Sequence, residues 1–380
     1  MAASDIRRVE LLAWRDLEDP EAGGSELHAD RVAARWADAG LDIELRTSMV
    51  PGAALETSRH GYDVVRRGGR YEVFAQVVAE GLRRRGPRPD AVVDIWNGVP
   101  FFSPLWFRGP RLTVLHHVHG EMWRMALSPA LAAIGDLTER RIAPLLYRST
   151  PIATLSASSR DEIVERLGVP ASHVHVVEPG IDPRFSPGGA RSDTPLVVAV
   201  GRLVPVKRYE LLFEALVEAR REVPDLRATV VGEGYQRPRL EAVLRELDAT
   251  SWIELPGHLD DDALVALYRS AWLVASASLR EGWGMTLTEA AACATPSVAT
   301  DIAGHRDAID DRSGVLVDDA GLGASIGAVL CDDARRAELS AGALVRASRF
   351  NWDRTATRLF SLLDPAAALR ASRAGPRGSR

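Results

Sequence analysis

Short apolar runs alternate with stretches of helical period along almost the whole chain, and this alternation narrows the architecture more than any other feature. Apolar runs separated by helix-patterned segments fit parallel strands whose crossover helices cover both sheet faces. The predicted fold class is α/β. The candidate strands form two series. The first holds VELLAW (9–14), DIELRT (42–47), AVVDIW (91–96), RLTVLHHV (111–118) and TPIATLS (150–156). The second holds LVVAVG (196–201), RATVVGEG (227–234), WIELPG (252–257), WLVASAS (272–278) and PSVATD (296–301).

Between the series lies EPGIDPRFSPGGARSDTP (178–195), dense in residues that favour turns and extended chain over helix. It reads as an interdomain linker, and each flanking half has the size of a doubly wound domain. The expected organisation is a first domain over 1–180 and a second over 181–345. A helix over 346–364 follows, with Phe350, Trp352, Leu359, Phe360 and Leu363 at helical spacing. Those large apolar groups need a partner surface, and the first domain can supply it. Residues 365–380 carry Arg370, Arg373, Arg377 and Arg380 and no large apolar residue besides Leu369, so a disordered basic tail is expected.

Several function classes drop out on composition. Hydrophobic residues make up 46% and charged residues 26%, as in a globular protein, and no window approaches the roughly 18 to 20 apolar residues of a membrane span. The amino terminus, MAASDIRRVELLAW, lacks the apolar middle and cleavage site of a secretory signal, which points to the cytoplasm. Cys293 and Cys331 are far apart and without metal-ligand spacing, so neither a disulfide framework nor a zinc site is expected. A net charge of -5 argues against nucleic acid as the main partner. Arginines at 66, 67, 70, 83, 84, 85 and 88 stand among few acids. They read either as a solvated face or as a contact for an anionic acceptor or an anionic membrane, the latter at its inner face.

The most specific motif is EGWGMTLTE (281–289), between the strand WLVASAS and an apolar helical pattern. Its backbone can turn tightly at Gly282 and Gly284, and the following helix, expected to start near Thr286, offers free amides and a positive dipole end to a diphosphate. Glu289 is expected in the first helical turn, where its carboxylate could accept both hydroxyls of a ribose. A second motif, GRLVPVK (201–207), follows the first strand of the second series, and Arg202 and Lys207 together could neutralise a leaving diphosphate. The turn VVGEGYQ, with Gly232 and Gly234, lacks the third glycine of a dinucleotide fingerprint and reads as a loop lining a phosphate or base. In the first half, Gly23 and Gly24 precede a helical pattern and form another anion-facing loop, with Ser25 as a plain helix cap the alternative.

His116, His117 and His119 end a strand, with no carboxylate or cysteine at ligand spacing. A hydrogen bond from one of them to a sugar hydroxyl stands beside a satisfied interior histidine. Asp260, Asp261 and Asp262 open a helix, where the dipole favours acids, and are not read as a metal motif. The stretch WNGVPFFSPLWFRGP (96–110) reads as core and packed loop, or else as a face for a lipid-linked acceptor.

Taken together, GGSE (23–26), HVHG (117–120), GRLVPVK (201–207), VVGEG (230–234), EGWGMTLTE (281–289) and DIAGHRDAI (301–309) resemble retaining glycosyltransferases of family 4, in the family order. The resemblance implies the GT-B architecture, two Rossmann-like doubly wound domains facing each other across a cleft. It implies that Glu289 binds the nucleotide ribose. Glu281 and the backbone of Gly282, Trp283, Gly284 and Met285 would take the donor sugar and phosphate, and Arg202 with Lys207 the diphosphate. His119 would touch the sugar, with Gly23 and Gly24 near the phosphates. The donor would be a UDP- or GDP-activated hexose-type sugar, the acceptor an unidentified glycan or lipid, with no cofactor and no metal required. Two positions depart from the family pattern: Arg208 replaces the glycine common after the lysine, and Glu178–Asp182 replaces an Asn-Gly-type linker. A sugar-nucleotide epimerase, a phosphorylase and a non-catalytic nucleotide-sugar-binding protein are the alternatives. An NAD dehydrogenase is disfavoured, because no complete Gly-x-Gly-x-x-Gly opens either half.

Overall fold

The computed structural model describes residues 4–83, 88–120 and 122–367. The chain divides into two compact units, Met1–Gly180 with Trp352–Arg380, and Ile181–Asn351. The first holds strands β1 (Arg8–Leu12), β2 (Asp42–Thr47), β3 (Glu56–Arg59), β4 (Tyr62–Arg66), β5 (Ala91–Trp96), β6 (Arg111–Leu115), β7 (Ile152–Thr154) and β8 (Val174–Val176). They form one sheet in the order β3-β4-β2-β1-β5-β6-β7-β8, parallel throughout except at the β3–β4 pair. That hairpin escapes the sequence pattern because β3, ETSR, has no apolar run; it is turned by His60 and Gly61, both at positive φ.

Central strands here carry continuous apolar runs because both faces are covered; every residue of β5 is buried. The core gathers Val9, Leu11, Ile43, Leu45, Val93 and Trp36, and the helix Trp352–Leu363 adds Leu359, Phe360 and Leu363. Its apolar residues recur at the spacing of one helical face. The Trp36 indole donates to the Ala356 carbonyl at 3.0 Å and meets the Phe360 ring edge-on. The helix expected over 346–364 begins at Trp352, and a separate helix, Asp333–Ala347, ends before it. Pro365–Ala367 are helical, with Ala367 buried, where a tail was expected to be disordered; residues 368–380 lie outside the described residues.

The second unit holds β9 (Leu196–Val200), β10 (Arg227–Val231), β11 (Ile253–Gly257), β12 (Leu273–Ser276), β13 (Ser297–Thr300) and β14 (Gly314–Val317) in an all-parallel sheet ordered β11-β10-β9-β12-β13-β14. Its core runs from Val197 and Ala199 through Leu212, Phe213 and Leu216 of the helix Tyr209–Arg220 to Leu322, Ile326 and Leu330 of the helix Leu322–Cys331.

Both sheets wind outward from their first strand in one direction and then in the other. The reversal lies between β1 and β5 in the first unit and between β9 and β12 in the second. Adjacent loops part at such a switch point and leave a crevice at the carboxyl ends of the strands, the usual ligand position in open α/β sheets.

Residues 181–195, expected as part of a linker, are strapped to the second unit. Arg269 donates to the Ser186 carbonyl at 2.7 Å, Trp272 to the Ser192 carbonyl at 2.8 Å, and Arg191 to the Thr295 hydroxyl at 2.7 Å. An irregular segment without a ladder still needs partners for its carbonyls, and side-chain donors provide them.

Candidate functional site

At the switch point of the second unit, the loop after β9 carries Gly201–Lys207 and the loop after β12 carries Ala277–Gly284. They are joined by one ion pair: the Lys207 ammonium lies 2.5 Å from Glu281 Oε1, with both side chains about four-fifths buried, 20% and 18% exposed. Ser278 donates to the same oxygen at 2.8 Å. Burial works to raise the affinity of Glu281 for a proton, but the Lys207 charge and hydrogen bond outweigh it and hold the carboxyl below its ordinary range. Arg202 is exposed, and its side chain makes no ion pair among the described residues.

Beneath Glu281 runs a chain of polar groups that sequence reading missed. His305 Nδ1 lies 2.7 Å from the Thr300 carbonyl and Nε2 lies 3.2 Å from Ser276 Oγ. Ser276 is 3.3 Å from Ser278, which donates to Glu281. A carbonyl and a carboxylate only accept, so these four contacts need four protons. Two serines and a neutral imidazole bring three, and burial lowers the proton affinity of His305. Neutral His305 therefore donates to Thr300, which orients the imidazole and turns its Nε2 to the Ser276 hydroxyl, which itself donates to Ser278.

Gly304, the other notable residue of DIAGHRDAI, is required by a close approach. A β-carbon there would stand 2.3 Å from the Glu281 carbonyl oxygen. Gly304→Ala is expected to push the Glu281 loop outward, costing about 1–3 kcal/mol of stability. Urea unfolding of the variant beside the wild type checks it.

Arg208 occupies a left-handed backbone position, φ 50 and ψ 47, which explains why a glycine suits the site. Its side chain is held by the Ala277 carbonyl at 2.7 Å and by both Asp319 oxygens at 2.6 and 2.8 Å, so here it also ties the two loops together. Gly232 and Gly234 have a packing reason of their own. β-carbons on them would meet the Gly201 carbonyl at 2.1 Å and the Leu203 carbonyl at 2.4 Å, so they let the loop after β10 lie against the loop after β9.

The helix after the EGWG turn starts at Met285, capped by Gly284 in left-handed conformation. Glu289 is thus its fifth residue, one turn in and not in the first turn as expected; the Tyr268 hydroxyl donates to it at 3.4 Å. Trp283 is 4% exposed and its ring meets Phe350 edge-on, so its indole belongs to the core and its backbone to the turn. Asp260 caps the helix Asp261–Ser270 by accepting from the Ala263 amide at 2.8 Å.

In the first unit, the loop after β1 leads into the helix Gly24–Asp38, whose cap is Gly23 and not Ser25. Glu26 folds back to accept from the Gly23 amide at 2.8 Å, and Asn97, just after β5, donates to Ser25 at 3.4 Å across the switch point. His119 follows β6, stacks on His117 and lies tilted against the Trp123 ring. His116 is the interior histidine of the group. It packs edge-on against His28, which also meets Trp352, and burial lowers the two histidines to about 3 and about 4. Of the arginine cluster, Arg66 is buried against Asp16, while Arg67 pairs with Glu56 and Arg70 with Glu21; Arg84 and Arg85 lie outside the described residues. Those three pairings account for a good part of the local charge without an anionic surface. No helix among the described residues is long and apolar enough to cross a membrane.

Known proteins can now be set beside this geometry. The family described as Glycosyltransferase Family 4 matches residues 22–185, and the one described as Glycosyl transferases group 1 matches residues 182–343. A D-inositol 3-phosphate glycosyltransferase of Salinispora tropica is 32% identical, over 92% of this chain and 82% of its own length. The chain belongs to glycosyltransferase family 4. A second family 4 relative of the same name, from Geodermatophilus obscurus, is 30% identical over 95% of this chain and 90% of its own length. Among solved structures, sucrose-phosphate synthase from Thermosynechococcus elongatus shares the fold at a TM-score of 0.79 and 20% identity, over 96% of this chain and all (100%) of that one. HepE of Anabaena in complex with UDP-glucose does so at 0.73 and 18%, over 94% and 99%. This family 4 glycosyltransferase therefore has GT-B folding units, as the sequence motifs implied.

Proposed function

We propose that the protein is a retaining glycosyltransferase that takes a UDP- or GDP-activated hexose-type sugar and passes the sugar to a hydroxyl acceptor. The observation that carries this reading is the Lys207–Glu281 pair at the switch point of the second unit, beside an exposed Arg202 and the amino-terminal end of the helix Met285–Ala292. In the reaction, the diphosphate leaves with growing negative charge. Lys207, Arg202 and the backbone of Gly282 to Met285 stabilise it there, and preorganised donors of this kind supply the largest part of many rate enhancements. Glu289 accepts from the ribose hydroxyls, Glu281 binds the donor sugar, and His119 hydrogen-bonds a sugar hydroxyl. With those cations in place the reading requires no metal ion and no cofactor. The acceptor to try first is D-inositol 3-phosphate, because relatives at 30–32% identity carry that name; a glycan or lipid acceptor comes next.

The test is proton NMR of the products from α-linked UDP- and GDP-sugars with that acceptor in the presence of EDTA. An α-linked product is expected. A β-linked product would overturn retention. A sugar phosphate or an epimerised donor would identify a phosphorylase or an epimerase, and bound donor without turnover a non-catalytic binder.

A further inference from the structure

Glu139 is the one charged residue on an otherwise apolar buried stripe. Ala132, Gly135, Glu139, Ala143 and Tyr147 face inward along the helical segment 129–147, and Glu139 is 0% exposed. The segment is not uniformly α-helical: Thr138–Ile142 form a turn of π-helix between Pro129–Leu137 and Ala143–Tyr147. Such turns occur mostly as local insertions and frequently at functional sites. Among the described residues no Lys or Arg reaches this carboxylate, and burial shifts its proton affinity upward. A buried carboxylate without a cation is costly unless hydrogen bonds satisfy it.

The hydrogen bonds come from a single turn. Glu139 Oε1 accepts from the His119 amide at 2.8 Å, and Oε2 accepts from the Gly120 amide at 3.2 Å and the Trp123 indole at 2.9 Å. His119 Nδ1 lies 3.8 Å from Oε1. Trp123 is wedged in place, since β-carbons on Gly98 and Gly135 would stand 2.8 and 2.7 Å from its ring. The Trp123 ring in turn lies 5.0 Å from that of His119. Every contact leads to the same imidazole.

We propose that Glu139 is a positioning residue for sugar transfer: its carboxylate holds the His119 and Gly120 amides and the Trp123 indole and thereby sets where the His119 imidazole stands and which way its ring nitrogens face. The inference rests on the reading of His119 as a sugar contact. Glu139→Gln keeps the shape and removes one acceptor and the charge.

Two readouts test it, and they fail separately. The first uses the protein without ligand, labelled with 13C at the histidine rings, the His119 signal being assigned by its loss in His119→Ala. In Glu139→Gln that signal is expected to shift, while the His258 signal keeps its position. An unmoved His119 signal would overturn the proposal. The second is turnover with the UDP- and GDP-sugar panel and D-inositol 3-phosphate. Glu139→Gln should lower kcat roughly ten- to a hundredfold with donor KM almost unchanged, as for a displaced contact. The double variant should lose no more than His119→Ala alone. Equal losses from Glu139→Gln with and without His119 would contradict the proposal, whereas an inert His119→Ala would remove the sugar-contact reading of His119 and leave the spectroscopic result standing. If Glu139→Gln does not fold, Trp123→Phe removes a single donor and should move the His119 signal; an unchanged signal there would also overturn the proposal.

Discussion

Replacing Lys207 by methionine is expected to lower kcat by about a hundred- to a thousandfold, the loss seen when one preorganised donor to a developing oxyanion is removed. The same change strands Glu281. Its carboxylate is four-fifths buried, and Lys207, 2.5 Å away, is the cation that pairs with it. Removing one member of such a pair costs on the order of 3 kcal/mol, because the remaining charge stays buried. The sign follows from the shift of Glu281. Its folded carboxyl is held below the ordinary range, so it contributes stability above that range, lost as pH falls through the folded value. In Lys207→Met that contribution disappears, burial dominates, and the carboxyl shifts upward. Adding Glu281→Gln should therefore recover stability without recovering turnover, which denaturant unfolding and initial rates measure separately. A double variant no more stable than Lys207→Met would show that the pair is not what holds the loops after β9 and β12.

The second large effect concerns acid. His28 and His116 are buried and held to about 4 and about 3, against about 6.5 in an unfolded chain. Above pH 6.5 neither state protonates them, so they add no pH dependence. Below it the unfolded chain takes up protons that the folded first unit refuses. Stability then falls by about 1.4 kcal/mol per pH unit for each histidine, until the folded values are reached. Between pH 6.5 and pH 5 the pair accounts for a loss of roughly 4 kcal/mol. Asp94 and Glu139, raised by burial, act in the opposite sense, and His305 and His175, lowered, in the same sense. The decisive quantity is therefore a difference between proteins. His28→Leu should flatten the plot of unfolding free energy against pH by about one histidine's share between pH 6.5 and 4, whatever its effect at pH 7. An unchanged slope would mean that His28 is protonated in the folded state.

How far the sequence carried these conclusions depended on whether a signal was local. Strand runs such as LVVAV and AVVDIW are local, and they lie where β9 and β5 are found. The β3–β4 hairpin is not, because its polar edge strand ETSR leaves no apolar run to read, and the short strands β8 and β14 fall outside both series. The break at 348–351 is hidden because the helical period resumes on its far side. In the site, Lys207 and Glu281 were each legible from their motifs, but their bond spans 74 residues and follows from the strand order around β9. His305 and Glu139 were missed for another reason. DIAGHRDAI draws the eye to its glycine, and TERRI (138–142) carries no motif, while folding turns the histidine of one and the glutamate of the other inward. The seven-arginine stretch shows the reverse error, since composition cannot show that Arg66 already belongs to Asp16.

The most direct test of the central claim is thermal-shift titration of the wild type and Glu289→Ala with UDP-, GDP- and ADP-sugars. A rise in melting temperature selective for one UDP- or GDP-sugar, and lost in the variant, is the predicted result. A chain that no nucleotide sugar stabilises, or an equal rise in Glu289→Ala, would contradict the assignment of the donor site to the crevice between β9 and β12.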